Sequence, residues 1–435
     1  MSAPRLIVFV RYPVAGSVKT RLIPVLGKDG AASLSRSMAE HTLKWASRLS
    51  GTRGTGLEVR FDGGSIPEMA AWLGTNIRFI PQGDGDLGDR MSRAFRDSFM
   101  DGVKKAVLIG TDIPELTVFH IRAAWKTLDE YDAVLVPAPD GGYGLIGLRR
   151  FHPGIFRGIP WGTNKVLEGT LAGAAALGLR VKTFPALHDV DIADDLPVWE
   201  RTKRRLLSIV IPTLNEGPRL KRTLDSIGRP PDTEVIVVDG GSRDETVSVA
   251  ERWGAKIVSC GPGRGIQLNA GAAEAVGSIL LFLHADTLLP ENHAALVLSA
   301  LEDPLVAGGS FALKFEPCPP LLKINEVTAN WRTRLFHLPF GDQALFVRNS
   351  LFRLLGGYKN IPLMEDVDFA RRLHRAGRTV VLRPPVRTSS RNYAGGYWRR
   401  SITNKVVFAG YLLGVSPEEL ANRYRKKRPG LTDEE

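Results

Sequence analysis

Short, uninterrupted apolar runs punctuate this chain, and each is closed by turn residues. Leu6 to Val10 is followed by Pro13 and Gly16, and Leu207 to Ile211 by Pro212, Asn215 and Gly217. Runs of this length with no polar alternation predict strands covered on both faces, as in a parallel sheet. Ala106–Ile109 and Ala133–Val136 predict further strands in the first half, and 234–238 and 279–283 in the second. Between them, periodic patterns predict helices over 31–49, 120–128, 246–253, 271–276 and 367–376. Strands alternating with helices twice over predict an α/β fold built from two tandem units. The polar stretch Arg201 to Arg205, with no apolar periodicity, predicts the boundary: one domain over 1–203, a second over 206–435.

The two halves echo each other. AVLIGTDIPEL ends a strand at Asp112, and ILLFLHADTLLP ends one at Asp286. In open α/β sheets ligands bind beyond the carboxyl ends of the strands, and an aspartate there can hold a metal against phosphate oxygens. Helix capping is the ordinary alternative for either residue alone. GYGLIG at Gly142–Gly147 matches a dinucleotide fingerprint in letters only, since no helical run follows it. Its glycines are expected to let backbone approach a bound nucleotide or sugar.

Composition narrows the classes. At 435 residues, 43% hydrophobic and 24% charged, the chain is expected to fold as two to four globular domains. The formal charge of +12 is divided evenly between the halves, so no dedicated nucleic-acid module is expected, while small anionic ligands fit. Cys260 and Cys318 cannot make a disulfide framework and suit a reducing cytosol. The N-terminal apolar run is too short for a signal peptide, and no stretch approaches the ~20 apolar residues of a membrane span. The expected location is cytoplasmic, or peripheral at the inner face of a membrane. For the second case Tyr397 to Leu413 is the candidate contact, mixing Arg399, Arg400 and Lys405 with apolar residues. A buried C-terminal helix is the alternative.

Six motifs follow in order through the second half: SIVIPTLNE, EVIVVDGGSRDET, GRGIQLNAG, LLFLHAD, GDQ and LMED. On these, residues 208 to 393 resemble the family 2 glycosyltransferases, which have the GT-A fold. The resemblance implies a nucleotide-sugar donor contacted by Pro212, Asn215, Glu216, Asp239, Arg264 and Asn269, with Mg²⁺ or Mn²⁺ on Asp286. It implies Asp366 as the base of an inverting displacement, with Asp342, Gln343 and Glu365 on the acceptor side. The acceptor, a small molecule or a lipid, is not implied. His284 stands where the family's metal signature begins with aspartate. GRGIQLNAG, FLHAD, LMED and GVSPEELANRY together are similar to a narrower subgroup, the second radical-SAM/selenodomain-associated or arsenosugar-biosynthesis transferases. That subgroup carries a second arginine and a tryptophan where this chain reads SSRNYAGG.

In the first half, FVRYPVAGSVKTRL, GDLGDRMSRAF, GTDIPEL, PAPDGGYGLIGL and DVDIADDL resemble the first such transferase, related in fold to nucleotidyltransferases. The turn bearing Gly16, Lys19 and Arg21 follows the first strand, where basic groups meet phosphates, and Asp140 and Tyr143 lie near the expected nucleotide. Asp112 and Asp191 are expected to share one Mg²⁺. The combined expectation is a bifunctional enzyme. The alternatives are an active second half with a first half that only binds or scaffolds, or a membrane-surface binding protein.

Overall fold

The computed structural model describes residues 3–50, 56–393 and 397–426. The chain divides into two compact units, Met1–Lys203 and Arg204–Glu435. The basic stretch read as a linker is largely helical, because Arg201–Arg204 complete the helix Leu196–Arg204.

Among the described residues the first unit has seven strands: β1 (Arg5–Arg11), β2 (Gly56–Asp62), β3 (Arg78–Pro81), β4 (Ala106–Ile109), β5 (Ala133–Pro137), β6 (Tyr143–Leu148) and β7 (Val181–Thr183). They lie in the order β3-β2-β1-β4-β6-β5-β7. Only β6 runs against its neighbours. All four residues of β4 are buried, and the sheet core continues through Ile7, Leu135 and Ile146. These are the residues that a strand needs when helices cover both its faces. GYGLIG occupies β6 and the residue before it. Two of its glycines make room for core side chains. A Cβ on Gly144 would lie 1.9 Å from Ile113, and one on Gly147 would lie 3.1 Å from Val107.

The second unit has eight strands: β8 (Leu207–Thr213), β9 (Thr233–Asp239), β10 (Lys256–Ser259), β11 (Ile279–Phe282), β12 (Thr287–Leu288), β13 (Val306–Glu316), β14 (Leu345–Arg348) and β15 (Arg378–Ser389). Their order is β10-β9-β8-β11-β14-β13-β15-β12. Leaving out the two-residue β12, this is the order of the first sheet, again with one reversed strand, β14, in the same place. The architecture is therefore α/β, two tandem GT-A-like units. The sequence echo has a structural basis, since Asp112 follows β4 and Asp286 follows β11, each the parallel neighbour of its unit's first strand. The helix expected over 271–276 runs instead over Arg264–Glu274, starting directly after Gly263 (φ 133°).

Candidate functional site

In the second unit the loops at the carboxyl ends of β8, β9 and β11 gather the predicted residues. Asp239 is the last residue of β9 and is buried. Its Oδ2 accepts from the backbone N–H groups of Gly241 and Ser242, both at 3.0 Å, which fixes the turn. Its Oδ1 is buried without a partner, an acceptor left for a ligand N–H. Asn215, at φ 53°, ties this turn to the first loop: its Oδ1 accepts from Arg243 N at 2.8 Å. Pro212 sits within β8 opposite Val238.

Glu216 and Asp286 meet at Arg391. The guanidinium donates to Glu216 Oε1 and lies 3.3 Å from Asp286 Oδ2, while Glu216 Oε2 takes Arg219 at 3.0 Å. Burial pushes the Asp286 carboxyl up, and Arg391 pulls it back. His284 is half-buried, with its Nε2 buried and without a partner. Burial, with Arg264 and Arg391 nearby, holds its pKa down at about 3, so the ring is neutral.

The second cluster surrounds Asp366. The helix Glu365–Ala376 starts from Met364, whose left-handed backbone (φ 68°) turns the two acids into the site. Asp366 Oδ2 accepts from Gly341 N at 2.6 Å, and Oδ1 from Val367 N at 2.7 Å. Only glycine allows that approach, because a Cβ at position 341 would stand 2.5 Å from His284 Nε2. Glu365 is buried and lies 3.4 Å from Arg264 Nη1. Burial raises its pKa to about 7 against the opposing Arg264. Asp342 is raised to about 6, again by burial, with Arg332 opposing and Asp366 adding. Its Oδ1 has no partner. The arrangement sets one oriented carboxylate, Asp366, beside two acids whose protons are held toward neutral pH.

Two expected contacts are corrected. Asn269 was expected at the nucleotide, but both ends of its amide are taken by the backbone of Tyr358, at 2.8 and 2.9 Å. Gln343 was expected to line the acceptor side. It is fully buried, accepting from Thr333 Oγ1 at 2.8 Å and donating to Phe311 O at 3.1 Å. Both residues brace loops, since a buried amide must satisfy its donors and acceptor locally. Arg332, which carried no motif signal, stacks over Phe340 with its Cζ 3.4 Å from the ring centroid and reaches Gln343.

In the first unit Asp112 and Asp191 do come together. The cation between them is the Lys19 ammonium, 2.7 Å from Asp112 Oδ1 and 3.6 Å from Asp191 Oδ1, donating also to Val190 O at 2.6 Å. Arg21 takes the other Asp191 oxygen at 2.9 Å. Lys19 and Arg21, expected at phosphates, are thus paired with these carboxylates. Gly16 (φ 85°) makes the turn after β1. Asp140 accepts from Gly142 N at 2.8 Å, and with Asp195 and Asp191 it helps burial raise Asp189 to about 6. Tyr143, expected near the nucleotide, is half-buried, with its ring against the core and its hydroxyl buried, which raises its pKa.

Among the described residues no three His, Cys, Asp or Glu side chains gather to hold a metal by themselves. In the second unit the donors present still fit a hard cation. Asp286 offers one partly exposed carboxylate, the kind of oxygen donor that could hold Mg²⁺ or Mn²⁺ together with phosphate oxygens and water.

Sheet order and site together define a GT-A-like transferase. Residues 208–346 match the model of glycosyl transferase family 2, and residues 46–163 match a family described as an uncharacterized protein conserved in bacteria (DUF2064). A PGL/p-HBAD biosynthesis glycosyltransferase of Mycobacterium tuberculosis (strain ATCC 25177 / H37Ra) is 32% identical over 228 residues, spanning 48% of this chain and 82% of the relative. Glucosyl-3-phosphoglycerate synthase of M. tuberculosis (strain ATCC 25618 / H37Rv) is 29% identical over 184 residues, 38% of this chain and 53% of that one. The chain belongs to the family 2 glycosyltransferases, with a DUF2064 domain preceding the transferase domain. Among solved structures, a protein provisionally described as a nucleotide-diphospho-sugar transferase, from Desulfovibrio desulfuricans G20, is 39% identical. It covers 47% of this chain and 89% of that one at a TM-score of 0.44. A Pyrobaculum calidifontis mannosyltransferase in complex with GDP-Man and Mn²⁺ is 22% identical, covering 47% and 64% at 0.39.

Proposed function

We propose that the second unit transfers a sugar from a nucleotide-sugar donor to an acceptor hydroxyl by a single inverting displacement. The observation that carries this is Asp366, its carboxylate aimed by Gly341 N and Val367 N beside the strand ends. In this reading Asp366 removes the acceptor proton as the acceptor oxygen attacks the anomeric carbon. The bond to the diphosphate breaks, and the nucleoside diphosphate leaves with the electron pair. Asp239 Oδ1 binds the base, and Arg264 and Arg391 face the growing negative charge. Asp286 would hold Mg²⁺ or Mn²⁺, which neutralises charge on the diphosphate when bound. The neutral His284 adds no charge there. The acceptor is a small molecule or a lipid.

For the first unit, the three contacts of Lys19 favour the reading in which that unit binds or scaffolds and the second alone is catalytic. Calorimetric titration with nucleotide sugars, with and without Mn²⁺, tests the main proposal. Asp286→Ala is expected to weaken metal-supported donor binding while Mn²⁺-free binding changes little. Unchanged affinity and turnover would return Asp286 to a structural role.

A further inference from the structure

The helix Pro320–Phe336 turns an apolar ridge to solvent. Ile324, Val327, Trp331 and Leu335 are 50%, 46%, 63% and 60% exposed, at spacings of three and four residues, so they share one face. The C-terminal helix Tyr397–Leu412 does the same with Ile402 and Val406, 56% and 52% exposed, and Leu413 follows at 85%. The expected choice between a buried and a surface C-terminal helix is thus resolved along its length, since Val407 is buried while Ile402 and Val406 are not. The inner faces of the two helices are joined by Ser401 Oγ donating to Asn325 Oδ1 at 2.8 Å. Phe408 packs edge-on against Phe340, the residue just before Gly341.

The exposed charged side chains on these two helices are basic. Lys323, Arg334 and Lys405 are exposed beside the ridges. The side chain of Arg399 lies outside the described residues. Glu326 is the only acid in either helix, and it is buried, bonded to Lys323 and 3.3 Å from Phe315 N. Apolar ridges with a tryptophan and basic residues along the same helices are the pattern of a helix lying in the headgroup layer of an anionic bilayer. A second copy fits worse, because a two-fold contact would set these basic residues against each other. No described helix is long and apolar enough to cross a membrane, so the contact is peripheral.

We propose that the paired helices Pro320–Phe336 and Tyr397–Leu412 dock the second unit on an anionic phospholipid surface. The inner side of the first helix reaches the acceptor region: Thr333 and Arg332 both bond to Gln343, next to Asp342. Docking there delivers an acceptor carried by the bilayer to Asp366. That last step rests on the glycosyl-transfer reading, whereas the docking itself does not.

The test is flotation of the full chain with phosphatidylcholine vesicles, with and without phosphatidylglycerol. Binding is expected only to the mixed vesicles and to weaken with salt. Trp331→Asp combined with Leu335→Asp is expected to lower the bound fraction by roughly tenfold or more, with circular dichroism and donor affinity unchanged. Trp331→Ala alone, a milder change at an exposed position, is expected to lower it less. Wild-type flotation of both variants would overturn the proposal. So would a dimer in sedimentation that the double variant dissociates, which would make the ridge a contact between copies. Loss of donor binding in the wild type would instead overturn the glycosyl-transfer reading and leave the docking result standing.

Discussion

Replacing Asp366 by asparagine keeps the shape of the side chain and removes its ability to take a proton. Both carboxylate oxygens accept backbone N–H groups, from Gly341 at 2.6 Å and from Val367 at 2.7 Å. Asparagine has one oxygen, so one of these donors loses its acceptor and faces an NH₂ group instead. A partly buried donor left that way costs about 1–3 kcal/mol. Against the roughly 5–15 kcal/mol that holds a domain folded, the variant is expected to stay native with a lowered melting temperature. Loss of a general base typically costs ~10²–10⁴ in rate, or about 2.7–5.4 kcal/mol of barrier. Donor affinity should persist, because Asp239 and Asp286 are untouched. The assay is turnover with the true acceptor, beside calorimetric donor affinity and thermal unfolding. Near-wild-type turnover would remove Asp366 as the base and leave Glu365 or Asp342. A folded variant that also lost donor binding would show that Asp366 belongs to the nucleotide site.

Glu365 gives a pH signature. Burial keeps it protonated in the native state up to about 7, whereas the unfolded chain releases that proton near the ordinary glutamate value of 4.5. Between those values the native state holds more protons, so unfolding free energy falls as pH rises through the window. Glu365→Gln is expected to flatten that part of the melting-temperature profile, and an unchanged slope would refute the assignment. Met1–Lys203 and Arg204–Glu435, expressed separately, are each expected to unfold cooperatively on heating. Circular dichroism showing both fragments disordered would place the division elsewhere.

What the sequence determined by itself was six of the strands buried on both faces, while the equally buried β13 and β14 were not read from it. β1, β4, β5, β8, β9 and β11 were legible because a strand covered by helices must be apolar throughout, whatever packs on it. β2 was not, since Glu58 and Arg60 sit inside it. They read as loop residues until the fold pairs them, Arg60 Nε with Glu58 at 2.6 Å and Arg60 Nη1 with Asp97 at 2.9 Å. β15 was hidden in the same way by its arginines and two prolines. At the site, motif order named Asp239, Asp286 and Asp366 as candidates. Tertiary structure alone decided that Asn269 and Gln343 brace backbone, that Lys19 stands between Asp112 and Asp191, and that Arg391 joins Glu216 across 175 residues of sequence. Apolar burial is a property of each residue and is written locally. The partner of a polar or charged side chain is whatever the completed fold brings within hydrogen-bonding distance, and no local pattern records it.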